Sequence, residues 1–245
     1  MSAKRSASGP GRWVRMSRTI GILVLAALLA SVAGEGTRAV SHHEPRFHSP
    51  DLARAGNIPY PPNTLAVGIV SLLVTLDARA QLQSVQVLRS FPSLTGVVQD
   101  AVQSWKFTAA AMRGSPVPAD ISVSAVFNPY NPGGTSFQAL ALDPPRFEPT
   151  PAPGGPAFLP PQITSASFAI YPVNSVAWGT VVLDATIDAT GQVAKVRAVH
   201  TVASLTTPAE TALRTWGFTP ATLDGQPVAA NIVVAFVFPR NLGRP

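Results

Sequence analysis

Residues 215–228 read TWGFTPATLDGQPV, and residues 104–117 read SWKFTAAAMRGSPV. The two strings stand 111 positions apart and share a Trp-x-Phe-Thr core followed by Gly-x-Pro-Val. Outward from them the agreement holds without a gap, from Tyr60 against Tyr171 to Phe127 against Phe238, with about two positions in five identical. A period of this length is too long for a solenoid unit and suits a whole small domain written twice.

Each copy then reads as strand, strand, helix, strand. Val70, Leu72, Val74 and Leu76 alternate along one face, and Val181, Leu183, Ala185 and Ile187 repeat that pattern. DARAQ (77–81) and DATGQ (188–192) punctuate both strands, and a second strand carries Val85 and Val87, or Val196 and Ala198, to complete an antiparallel hairpin. Asp77 and Asp188 fit Asx turns at these corners. The period next becomes helical through Leu94, Val97, Val98, Ala101, Val102 and Trp105. In the second copy Thr207, Pro208 and Glu210 suit an N-cap, a first helical residue and a capping box. A turn at Gly114 or Gly225 leads to a last alternating strand, Ile121, Val123, Ala125 and Phe127 or Ile232, Val234, Phe236 and Phe238. The expected fold class is α+β, two small repeats that each lay one helix on a three-stranded antiparallel sheet. One helix on three strands has little apolar area, so Trp105, Phe107, Trp216 and Phe218 are expected as core plugs.

The expected division is a leader over 1–33, a flexible tether over 34–59, a first repeat over 60–128, a Pro/Gly-rich linker over 129–170 and a second repeat over 171–240. The leader carries Lys4, Arg5, Arg12, Arg15 and Arg18 and no acid, then the apolar run TIGILVLAALLASVAG. That is a signal-peptide pattern, with cleavage before Gly34 or retention as a short membrane anchor as the two alternatives. Five of the 18 Lys and Arg lie in it, which leaves 13 against 12 Asp and Glu, so the high charge excess belongs to targeting and argues for no nucleic-acid partner.

The residue inventory points away from catalysis. The chain has no cysteine, no phosphate loop and no nucleophile signature, and three of its four histidines, His42, His43 and His48, fall in the tether, where a solvated loop is the reading. No catalytic residue, metal site or cofactor is expected. What remains is a sheet margin, which proteins either protect or use to recruit an extended peptide. The last strands were the natural margin, giving Ile121, Val123, Ala125, Ile232, Val234 and Phe236 as candidate peptide-binding residues. Val233 and Ala235 on the outer face of the second copy also suit contact between the repeats or with another molecule.

The repeated residues resemble the C-terminal domain of the TonB family. The resemblance lies in YPVNSVAWGTVVLDATIDATGQV, RTWGFTPATLDGQPV and IVVAFVF of the second copy, and in YPPN, SWKFTAAAMRGSPV and ISVSAVF of the first. It implies a periplasmic domain that binds an extended segment of an outer-membrane transporter, with proton-driven inner-membrane partners if the leader is retained as an anchor. The resulting expectation is an exported, non-enzymatic binding protein of the cell envelope, with or without a part in energy-coupled transport. The alternative is a structural scaffold whose repeats pack as a pseudo-dimer.

Overall fold

The computed structural model describes residues 47–61, 64, 66–134 and 137–240. The leader, the first part of the tether, and His42 and His43 lie outside the described residues. In chain order the elements are β1 (Phe47–His48), β2 (Asp51–Arg54), β3 (Gly68–Leu76), β4 (Leu82–Arg89), α1 (Thr95–Gln103), β5 (Lys106–Thr108), β6 (Ala110–Met112), β7 (Ser115–Val117) and β8 (Ala119–Phe127). They continue with β9 (Ala139–Leu140), β10 (Phe158–Leu159), β11 (Gln162–Ser167), β12 (Gly179–Ile187), β13 (Val193–His200), α2 (Thr206–Leu213), β14 (Gly217–Thr219), β15 (Ala221–Leu223), β16 (Gln226–Val228) and β17 (Ala230–Phe238).

Instead of two separate three-stranded sheets, the long strands form one six-stranded sheet in the order β13-β12-β17-β8-β3-β4. Within each half the pairing is antiparallel, and the halves meet where β17 runs parallel to β8, with Ile232 beside Ser122 and Val237 beside Phe127. The register joins residues 110 apart, one short of the sequence period. Because neighbouring residues of a strand point to opposite faces, this shift places the buried face of one repeat on the opposite side from that of the other. One core accordingly joins Val98 and Val102 of α1 to Ile121, Val123, Ala125 and Phe127, while the other joins Ala209 and Leu213 of α2 to Ile232, Val234, Phe236 and Phe238. The helices lie on opposite faces of a shared sheet.

That arrangement leaves half of each face without a helix, and the segments expected as tether and linker cover it. Leu52, Ala55 and Ile58 pack with Val182, Val233, Ala235 and Val237 of the second repeat. Reciprocally, Ile163, Ala166 and Ala169 pack with Ile69 and Val126 of the first. Each arm also pairs with the short strand after its own helix, β2 with β5 and β11 with β14, so it ties its own repeat to the back of the other. The tether is therefore structured from Phe47 onward, and the linker contains β9, β10 and β11. The physical reason is exposed apolar area: Val233, Ala235 and Val237 would otherwise face water.

Between helix and last strand, where a turn was expected, lies a β-hairpin in each copy. Arg113 and Gly114 (φ 50 and 80), like Asp224 and Gly225 (φ 51 and 75), give it the two left-handed residues of a tight hairpin. These hairpins pair with β1 and β10, and Phe47 meets Phe158 with ring centroids 4.6 Å apart, closing a third small core.

The capping box at Thr207 is not formed. The helix begins earlier, at Thr206, whose hydroxyl accepts from the Val202 amide (3.1 Å) and donates to the Val202 carbonyl (3.0 Å). Thr95 does the same with Phe91 in the first copy. A hydroxyl at the first helical residue thus closes the preceding turn on itself, and Pro208 becomes the third helical residue.

Candidate functional site

The last strands are not margins of the sheet. β8 lies between β3 and β17, and β17 between β12 and β8, so each is paired along both sides. Ile121, Val123, Ala125, Ile232, Val234 and Phe236 are fully buried, the first three toward α1 and the others toward α2. This corrects the sequence expectation: the seam between the repeats occupies the backbone that strand addition would need. Trp105, Phe107, Trp216 and Phe218 are also buried. Trp216 Nε1 donates to the Ser167 carbonyl at 3.1 Å, whereas Trp105 Nε1 is buried with no partner. The acceptor in the second copy belongs to β11; the matching position in the first copy is Gly56, beyond the end of β2.

The true margins are β4 and β13, one from each repeat. β13 carries Lys195 and Arg197, charges of the kind that discourage edge-to-edge pairing. β4 reads LQSVQVLR and has no charge before Arg89. At its far end the Leu88 carbonyl accepts from the Arg146 amide at 2.7 Å. Alongside its first half, Leu82 to Val85, runs a groove of about 530 Å³, walled by residues 79–85, by Gln99 and Gln103 of α1, and by Trp105, Lys106 and Phe107.

The two hairpins differ at one matching residue. Gly191 (φ 85) brings the β12–β13 hairpin so close to β14 that a Cβ there would lie 2.4 Å from the Phe218 carbonyl oxygen. The matching residue is Ala80 (φ 59), which has the Cβ. A Cβ at this position excludes the approach that Gly191 makes, and both the first hairpin and Phe107 line the groove.

The buried polar groups hold the arms. Asp184 and Arg197 are cross-strand partners on β12 and β13, and the guanidinium sits 2.5 Å from the carboxylate and 2.8 Å from the Leu52 carbonyl. Burial raises the Asp184 pKa, and the Leu52 amide and Arg197 oppose that rise. Thr180 both accepts from and donates to Ile58, each at 2.9 Å. On the other face Arg89 donates to the carbonyls of Asp143 (2.7 Å) and Ile163 (3.0 Å), and burial lowers its pKa. These groups position chain segments and do not converge on a reaction centre. The signal for the Asp184–Arg197 pair was an opposite charge on each strand of the expected hairpin, which sequence reasoning did not draw together.

Asp77 and Asp188 serve their own turns. Asp77 accepts from the amides of Arg79 and Gln81, and Asp188 from those of Thr190 and Gln192. Hydrogen bonds, first the one from the Thr190 hydroxyl, hold the Asp188 pKa below its ordinary value. His48 lies in β1, and His200 shares a 2.7 Å hydrogen bond with the Thr180 carbonyl. Among the described residues no group of three or more His, Asp or Glu is placed to hold a metal ion, and no helix is long and apolar enough to cross a membrane.

Residues 176–239 match the family model described as the Gram-negative bacterial TonB protein C-terminal. The match runs from the loop before β12 to the end of β17, so the second repeat carries a TonB C-terminal domain. No curated protein and no solved structure matches the chain.

Proposed function

We propose that the protein is an exported, non-enzymatic binding protein of the periplasm that recognises an extended peptide segment of an envelope or outer-membrane transport partner by strand addition. The observation that carries this reading is the TonB C-terminal match over residues 176–239, on a sheet that retains two open outer strands. Main-chain hydrogen bonds at a sheet edge give affinity, and alternate side chains give selectivity. Because the seam uses β8 and β17, the receiving edge is β4 or β13.

A second reading, a scaffold without peptide recognition, is favoured by the seam itself and by the exchanged arms, which make an internal pseudo-dimer. The experiment that separates the two uses the full mature chain, labelled with ¹⁵N, and synthetic peptides that tile the periplasm-facing segments of the outer-membrane transporters of its own cell. Saturable amide shifts along an outer strand support recognition; a fold that is intact and indifferent to every tile leaves the scaffold. Cell fractionation with N-terminal sequencing adds the second fact needed. A soluble chain beginning near Gly34 describes a free binding protein, and a membrane-bound chain that keeps residues 12–33 brings in energy coupling and proton-driven inner-membrane partners.

A further inference from the structure

The groove beside β4 has the attributes of a peptide site that β13 lacks. Short of the Leu88 carbonyl that the Arg146 amide occupies, the strand edge is uncharged from Leu82 to Val87, and an edge of that length is a template for another chain unless it is covered, charged or used. Along the groove, Gln81, Ser84, Gln99 and Gln103 offer amide and hydroxyl groups that can both donate and accept. The charged residues of the lining are Arg79 and Lys106, both exposed and neither in an ion pair among the described residues. Asp77 nearby is taken up by Arg79 N, Gln81 N and Gln83 Nε2.

From the open edge, the amide-lined channel and the two free cations, we infer that β4 receives an extended peptide bearing acidic side chains, as a seventh strand whose carboxylates reach Arg79 and Lys106. This rests on the strand-addition reading above and places it on one edge. Ala80 stands in the first hairpin where Gly191, in the second, lies against the Phe218 carbonyl.

The test begins with a library of random eight-residue peptides displayed on phage and panned against the full mature chain. The expected winners alternate β-branched residues with Asp or Glu. A synthetic winner should perturb the amides of Leu82 to Val87 and bind about tenfold more weakly to the variant with Arg79→Glu and Lys106→Glu, two exposed changes that leave the core untouched. Winners that perturb β13 or ignore the charge reversal overturn the β4 site while strand addition survives. Absence of any enriched peptide removes both readings. Sedimentation showing that copies of the chain pair through β4 would also overturn it, since the edge would then belong to a dimer.

Discussion

Replacing Gly191 with alanine isolates the contact that closes the second hairpin. Gly191 has φ 85 and its built Cβ lies 2.4 Å from the Phe218 carbonyl oxygen and 3.7 Å from Pro220 Cδ. Gly225 provides the control, with φ 75 and nothing within 4 Å of its built Cβ. Left-handed backbone costs a non-glycine residue about 1–2 kcal/mol, offset in part by about 0.4–1 kcal/mol from the stiffer unfolded chain. Gly225→Ala should therefore destabilise by about 1 kcal/mol or less. Gly191→Ala adds the clash, and forcing extra atoms into a packed site costs about 1–3 kcal/mol, for a total of about 1–4 kcal/mol.

Urea unfolding of both variants measures the difference, and for a domain of this size each kcal/mol should lower Tm by about 2–4 °C. The reciprocal change, Ala80→Gly, relieves left-handed strain but loosens the unfolded chain, so it should be nearly neutral. If Gly191→Ala and Gly225→Ala fall within about 0.5 kcal/mol of one another, the hairpin does not close on Phe218 as described. The contrast drawn with Ala80 then fails with it.

Trp216→Phe should cost about 1 kcal/mol or more beyond Trp105→Phe, because only the former breaks a buried hydrogen bond and leaves the Ser167 carbonyl unpaired; equal urea midpoints would contradict this. Asp120→Asn should stabilise the chain by about 1 kcal/mol at pH 7, since the Asp120 carboxylate is buried with Oδ1 unpartnered while Asn231, its counterpart, accepts from Thr186 at 2.9 Å. Burial raises the Asp120 pKa above 3.8, so its contribution to stability is present below that value and lost as pH rises through the folded-state pKa. The asparagine variant should lose this part of the acid-side slope, and an unchanged slope in unfolding free energy against pH would show that Asp120 does not titrate this way. Arg197→Ala leaves Asp184 without its counter-ion and should destabilise by about 2 kcal/mol, below the cost of breaking a fully buried pair because Arg197 is 44% exposed. Faster amide exchange at Leu52 should accompany it, and unaltered exchange there would separate the ion pair from the arm.

The long strands and helices were legible because their apolar periods are strong and occur twice. The seam stood only as the alternative in which the repeats pack as a pseudo-dimer, because parallel pairing of β8 with β17 is a contact between segments 110 residues apart with no local code. A signal was nonetheless present in residues 232–238, IVVAFVF, which are apolar at every position, as a strand covered on both faces must be. The arms were read as tether and spacer because the repeat weakens there: residues 47–59 and 158–170 agree only at Phe47, Pro50 and Ala55. Those residues still mark the same places, and Phe47 and Phe158 touch across the third core. The contrast of Ala80 with Gly191 stood in the sequence, but its consequence depends on how close β14 lies to the hairpin.

The shared sheet changes what duplication achieves. A helix on three strands leaves one face bare, and domains of that size are only marginally stable alone. Here each bare face is covered by the arm of the other repeat, with Leu52 and Ile58 on one side and Ile163 and Ala166 on the other. The exchange stabilises both halves together, but it fixes the last strands back to back in the seam. On the strand-addition proposal the receiving strand is β4 or β13, and those two differ in charge. The seam leaves the centre of the sheet paired on both sides, and Ala80 against Gly191 sets the two outer hairpins apart.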